Sequence, residues 1–292
     1  MSSETTQRVA VVTGASSGIG LATAKALVAQ GWHVIGQGRD AARSAAAEVS
    51  IREACAHGGK QDFLQANLSL MSDTKRLAGQ ITGLTDRLDL LVNNAGGVRD
   101  QRYITHEGTE ETFSANHLAP FLLTRELLPL LQRTAREAGP GAVRVLAVSS
   151  EAYRHVTGMN WDDIQYLNGE FPSGPAYCQA KLANQLFSLE LAARLADDGI
   201  VAQSLVPGPV ATNFANHGDE AMQSFMKSIE AMSPEDVART LVWMATAPET
   251  GAPGGRMFYD MAEVSVDAHG RDRDAAARLW QESERLLAAI GH

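Results

Sequence analysis

Cysteine is almost missing from this chain: Cys55 and Cys178 are the only 2 in 292 residues, far apart and outside any CxxC spacing. That excludes a disulfide framework and a cysteine-rich zinc site. The 8 histidines show no ligand spacing either, so no metal is expected. Long apolar runs are also lacking. No stretch approaches the ~18 uninterrupted apolar residues of a membrane span. The opening MSSETTQR has no basic segment leading into an apolar one, so neither a signal peptide nor a membrane anchor is expected. Positive charge is in deficit, with 25 Lys and Arg against 34 Asp and Glu and a net charge of −9. That balance disfavours nucleic acid and anionic membrane surfaces as partners. What is left, 45% hydrophobic and 20% charged, is the composition of a soluble globular protein able to bury a large core. A cytoplasmic location is the expectation.

The residues that are there alternate between two periods. Arg8-Val9-Ala10-Val11-Val12-Thr13 is a short β-branched run stopping at Gly14, as a buried parallel strand does. Similar runs follow at His33–Gln37, Gln61–Leu68, Leu88–Gly96, Val143–Ser150, Ile200–Gly208 and Gly255–Tyr259, with helical stretches between them. The alternation predicts an α/β fold, a doubly wound parallel sheet of about seven strands with helices on both faces. One Rossmann-type domain spanning 1–292 is expected. Ligands of such sheets sit at the carboxyl ends of the strands, where Gly14, Arg39, Asn67 and Asn94 fall.

The first of these ends is Thr13-Gly14-Ala15-Ser16-Ser17-Gly18-Ile19-Gly20, running into a helix. In that layout backbone N–H groups and the helix dipole hold a pyrophosphate. The second strand closes on Gly38-Arg39. A carboxylate there would bind the adenine ribose hydroxyls, whereas an arginine receives a 2′-phosphate. A charge-assisted hydrogen bond contributes about 1.5–3 kcal/mol, roughly a 10–100-fold preference for NADP over NAD. Further along, Tyr177 and Lys181 stand four apart in Pro175–Asn184 and share one helix face. The ammonium is expected to stabilise phenolate and draw the tyrosine pKa down from about 10, letting the hydroxyl exchange a proton near neutrality.

TGxxxGxG, the strand end Asn93-Asn94-Ala95-Gly96 and the YxxxK pair, in this order, resemble the short-chain dehydrogenase/reductase family. The resemblance runs from Arg8 to about Leu287. Gly158–Ile164, Tyr177–Asn184 and Ala277–Trp280 look most like the retinol dehydrogenase-like branch. It implies an enzyme moving a hydride between nicotinamide and a small hydrophobic carbonyl or alcohol, with aldehyde or ketone reduction favoured. It also implies a catalytic set of Asn116, Ser150, Tyr177 and Lys181. The implied cofactor contacts are Gly14, Ser16, Ser17, Gly18, Ile19, Gly20, Arg39, Asn67, Leu68, Asn94, Ala95, Gly96, Tyr177, Lys181, Pro207, Val210 and Thr212. NADP(H) is favoured through Arg39, with NAD(H) left open. The alternatives are an NAD-dependent alcohol dehydrogenase working oxidatively and a dinucleotide sensor without turnover. A sensor has no need of a proton donor. Relatives often form homodimers or homotetramers, unless the tail helix covers such a face.

Three local features refine this picture. Pro120 has no N–H for the Asn116 carbonyl four residues back, so that carbonyl is expected to be free to bind a relay water. Strand alternation turns Ser149 and Ser150 to opposite faces, and Ser150 is the one taken to reach the site. The insert at about 151–176 carries Tyr153 and His155 as pocket candidates, with Trp161 and Phe171 as packing. A Met- and Phe-rich lid is expected over about 213–232, including Phe214, Met222, Phe225, Met226 and Met232. The amphipathic tail Asp274–Ala289 should pack on its own subunit.

Overall fold

The computed structural model describes residues 6–212, 218, 220, 223–224 and 228–292. Apart from Met232, the named residues of the expected lid lie outside these residues. Eight strands form one sheet in the order β3-β2-β1-β4-β5-β6-β7-β8. They are β1 (Val9–Val12), β2 (His33–Gly38), β3 (Lys60–Gln65), β4 (Leu90–Asn93), β5 (Arg144–Val148), β6 (Val201–Leu205), β7 (Met257–Tyr259) and β8 (Ala262–Val264). The first seven run parallel. Every residue of β1, β4, β5 and β6 is buried, as strands covered on both faces must be.

Period-two alternation sorts these strands into two cores. Ala10 and Val12 point to the layer of helices α1 (Gly18–Ala29), α2 (Ala41–Glu53) and α7 (Pro234–Thr246). Val9 and Val11 point to the opposite layer of α3 (Met71–Leu84), α5 (Ala119–Ala138), α6 (Ser173–Arg194) and α8 (Arg273–Ala289). Because β1 lies between β2 and β4, the direction of winding reverses at its carboxyl end. A crevice opens there, which is where such sheets bind ligands.

The sequence reading misses β8, which pairs antiparallel with β7. Asp260 and Met261 take φ of 43° and 57° and make a two-residue loop joining Tyr259 to Ala262. Asn-Gly or Asp-Gly signals such a loop, and methionine in the second place hides it. The insert also departs from expectation. A 3₁₀ turn over Glu151–His155 sends Tyr153 inward, where it is 0% exposed and its hydroxyl accepts from the Asp267 N–H at 3.3 Å. Arg154 pairs with Asp267 beside it. Tyr153 is therefore core rather than pocket wall, and His155 is exposed. Trp161 packs on the core as expected, with the Arg278 guanidinium 4.3 Å above its ring.

The tail helix packs on its own chain. Ala276, Leu279 and Leu287 enter the core, and the Trp280 ring lies 4.8 Å from that of Phe121. The Ser283 hydroxyl donates to the Leu279 carbonyl at 2.7 Å and accepts from the fully buried His117 Nε2–H at 2.7 Å. Among the described residues no helix is long and apolar enough to cross a membrane. Truncating Leu279 to alanine should cost about 2–5 kcal/mol in urea unfolding. An unchanged midpoint would show that the tail adds nothing to the core.

Candidate active site

The glycine-rich turn is built by contacts to the ends of β2 and β4. Gly14 takes φ 68°, and a Cβ there would sit 2.8 Å from Asn94 Nδ2. A Cβ on Gly20 would strike the Gly14 carbonyl, which is why α1 starts so close to the turn. Asn94 Nδ2 donates to the Thr13 carbonyl at 2.8 Å, and the Thr13 hydroxyl accepts from the Asn94 and Ala95 N–H groups, both at 3.0 Å. Asn94 and Ala95 thus tie β4 to β1 across the switch point. Pro207–Thr212 lies alongside: a Cβ on Gly18 would meet the Thr212 methyl at 3.0 Å, and Val210 is buried. Asn67 spends its carbonyl oxygen within its own turn, accepting from the Ser69 N–H at 3.2 Å.

The first turn of α1 has no acidic residue, and its N-cap Ser17 makes no side-chain hydrogen bond. Its leading amides therefore have no carboxylate and no side-chain cap competing for them, an arrangement suited to an anion. Together with the glycine contacts this fits the pyrophosphate of a dinucleotide, which the Ser16–Gly20 amides would hold.

Asn116 from the turn before α5, Ser150 just past the end of β5, and Tyr177 and Lys181 on α6 converge beside the glycine-rich turn. Tyr177 and Ser150 share a side-chain hydrogen bond. The Lys181 Nζ lies 5.7 Å from the centre of the Tyr177 ring and donates to the Val148 carbonyl at 3.2 Å. A Cβ on Gly96 would collide with Asn116 Oδ1 and sit 3.3 Å from the Lys181 Nζ, so one glycine is wedged between these two side chains. Asn116 is 0% exposed; its Nδ2 donates to the Gly97 and Thr112 carbonyls at 2.7 Å, and its Oδ1 accepts from the Gly97 N–H at 3.2 Å. Ser149 faces away, as alternation requires, donating to the Lys181 carbonyl at 3.1 Å.

Two physical details differ from the sequence reading. Around Pro120 the helix does not simply lose one bond: between α4 (Glu111–Phe113) and α5 it opens into a π turn over Ser114–Leu118, with Ala119 N–H reaching the Ser114 carbonyl. Such turns recur at functional sites because they re-aim backbone and side chains. The second concerns the phenol. Burial pushes the Tyr177 pKa up, against the smaller opposing effect of the Ser150 hydrogen bond. Burial also pushes Lys181 down to about 8. The lowering of Tyr177 expected from its spacing to Lys181 is thus absent from the protein alone, because both groups have lost water and the ammonium is bonded to a carbonyl instead.

A family model described as short chain dehydrogenase matches residues 8–161. The chain belongs to that family. This short-chain dehydrogenase is an oxidoreductase, and several of its curated relatives are named as dehydrogenases of retinol or polyprenol. It is 37% identical to polyprenol dehydrogenase of Mus musculus, over 97% of this chain and 85% of that one. It is 32% identical to retinol dehydrogenase 13 of Homo sapiens, over 96% and 84%. Among solved structures, a protein of Mycobacterium paratuberculosis superposes with a TM-score of 0.73 at 28% identity, covering 97% of this chain and 94% of that one. Pseudomonas aeruginosa RhlG, in an active-site complex with NADP, gives 0.68 at 27% identity, over 86% and 94%.

Some residues that shape the site of this dehydrogenase carry no motif. Gln37, buried in β2, accepts the Gly14 N–H at 3.0 Å and donates to the Ala66 carbonyl at 2.8 Å. It locks the start of the glycine turn, yet in the sequence it is one glutamine in a strand. Glu111 is another. Its carboxylate accepts from Arg99 Nε at 2.7 Å and from the Ser69 hydroxyl at 3.1 Å, and it stands 3.6 Å from Arg39 Nη1. Arg39 itself is 45% exposed at the end of β2.

The buried ammonium makes stability depend on pH in a defined direction. Lys181 is neutralised at about 8 in the fold, below its ordinary value near 10.5, so the unfolded chain binds more protons between those values. Unfolding free energy should therefore rise from pH 8 to 10, by up to about 3 kcal/mol. Lys181→Met should flatten the rise in urea titrations. A slope that survives in that variant would assign it to another group.

Proposed function

We propose that this enzyme uses NADP(H) to interconvert a hydrophobic carbonyl compound and its alcohol, reduction being the favoured direction, with Tyr177 as the proton donor. The observation that carries the reading is the buried phenol of Tyr177, hydrogen-bonded to Ser150 beside Lys181 at the carboxyl edge of the sheet. When bound, the dinucleotide supplies or takes up the hydride. The side chains do the rest. Ser150 and Tyr177 are near enough to grip one oxygen between their hydroxyls. Because burial keeps Tyr177 protonated, the resting form is the one a reductase needs. Lys181, with its pKa at about 8, stays mainly cationic at neutral pH and offsets the phenolate that proton donation leaves. Each unit by which a loaded site draws the Tyr177 pKa back down corresponds to about 1.4 kcal/mol.

An apolar substrate is supported by relatives named for retinol and polyprenol, both long hydrophobic alcohols. Their names equally support a second reading, alcohol oxidation, and the carboxylate of Glu111 beside Arg39 favours NAD(H) as its cofactor. Comparing the four combinations of cofactor and direction over a panel of hydrophobic aldehydes, ketones and alcohols separates the two. Tyr177→Phe should lower turnover about a thousandfold, with NADPH affinity by fluorescence titration unchanged; preserved turnover would remove the tyrosine from the chemistry. Arg39→Ala should reduce the NADPH-to-NADH ratio of kcat/KM by about tenfold or more. An unaltered ratio would leave the 2′-phosphate without its reader.

A further inference from the structure

We infer that Glu111 sets how strongly this enzyme distinguishes NADP(H) from NAD(H), by neutralising the arginine that would receive the 2′-phosphate. The inference rests on the reading of Arg39 given above.

At the end of β2 the sequence places Gly38 and Arg39 where the ribose-binding carboxylate would stand, and the adjoining Asp40 is taken up in capping α2, accepting from the Arg43 N–H at 2.8 Å; by itself that predicts a clear preference for the phosphorylated cofactor. The fold changes that balance. Glu111, at the start of α4, reaches the same place from the far side of the crevice and puts Oε1 3.6 Å from Arg39 Nη1. The carboxylate is held there. It accepts from the hydroxyl of Ser69, which follows the Asn67-Leu68 strand end, and from Arg99. With 18% of its side chain exposed, it is better shielded from solvent than Arg39 at 45%. Arg39, Arg99, Asp100, Tyr103 and Glu111 line one cavity of about 380 Å³. Its wall therefore carries two guanidinium groups and two carboxylates rather than a bare cation.

The two cofactors meet this wall differently. A 2′-phosphate entering beside Arg39 must share that guanidinium with Glu111 and bring its own negative charge against the carboxylate, which costs affinity. A ribose 2′-hydroxyl carries no such charge, and a carboxylate in reach is the group that usually accepts its hydrogen bond. Glu111 thus supplies, from another element, a carboxylate in the place of the one that the Gly38-Arg39 strand end does not provide. Arg99 holds it in place from behind, anchored in turn where the Ser173 hydroxyl at the start of α6 donates to the Arg99 carbonyl at 2.6 Å.

Isothermal titration of the full chain with adenosine 2′,5′-bisphosphate and with adenosine 5′-monophosphate isolates this end of the site from the chemistry. Glu111→Gln should tighten the bisphosphate about fivefold, leaving the monophosphate unchanged or slightly weaker. Glu111→Asp, which keeps the charge, should stay near the parent. In an Arg39→Ala background, where the bisphosphate is already weakened, Glu111→Gln should add little, because the two effects pass through one contact. Glu111→Met, neutral and of similar volume, is read alongside; binding of the monophosphate shows which variants are folded. If neither neutral variant tightens the bisphosphate while Arg39→Ala weakens it, Glu111 has no part in selectivity and Arg39 keeps its role. If Arg39→Ala leaves the bisphosphate untouched, the inference falls together with the reading beneath it.

Discussion

The ammonium of Lys181 sits out of water with one carbonyl, that of Val148, 3.2 Å away, and burial has moved its pKa down to about 8 while moving that of Tyr177 up. Two groups whose charged forms are both disfavoured by the same desolvation are held side by side on one helix face. Such an arrangement costs stability, since a cation in low dielectric must be compensated or neutralised. It persists because the surroundings are rigid and well packed. Directly behind the pair on α6, Leu182, Ala183, Leu186 and Phe187 are all buried.

The same rigidity extends to the neighbouring elements. Asn116 is positioned by three hydrogen bonds to the Gly97 and Thr112 backbone, and the π turn that presents it is pinned from below. The pin is His117, fully buried, with burial pushing its pKa down to about 3, and its Nε2–H donated to Ser283 of the tail helix. Phe113, Phe121, Phe187 and Trp280 surround that contact. Tail, π turn and α6 thus form one block. On the other side of the crevice the Thr13–Asn94 hydrogen bonds join the ends of β1 and β4, fixing the glycine turn against it.

Most of this framework is legible in the sequence, for physical reasons that differ by element. The buried strands could be read because a strand covered on both faces is a continuous apolar run, as in Val9–Val12 and Leu90–Asn93. The residues that converge at the carboxyl edge can be picked out as candidates because the turn at Gly14–Gly20, the strand end at Asn94 and the spacing of Tyr177 to Lys181 are local patterns. Tyr153 was misread because nearness to Ser150 in the chain says nothing about the direction in which a 3₁₀ turn sends a side chain. β8 was missed because its hairpin loop uses Met261 where glycine is usual.

The sequence by itself determined the fold class, the order of its elements and which residues arrive at the carboxyl edge of the sheet. Those follow from period, glycine placement and helical spacing, all of which act over a few residues. Only the tertiary structure decided the electrostatics. The direction of the Tyr177 pKa depends on how much water is excluded, and the character of the Arg39 pocket depends on Glu111 crossing from another element. Charge interactions fall off with distance in space and grow as solvent is removed. Neither quantity is written along the chain.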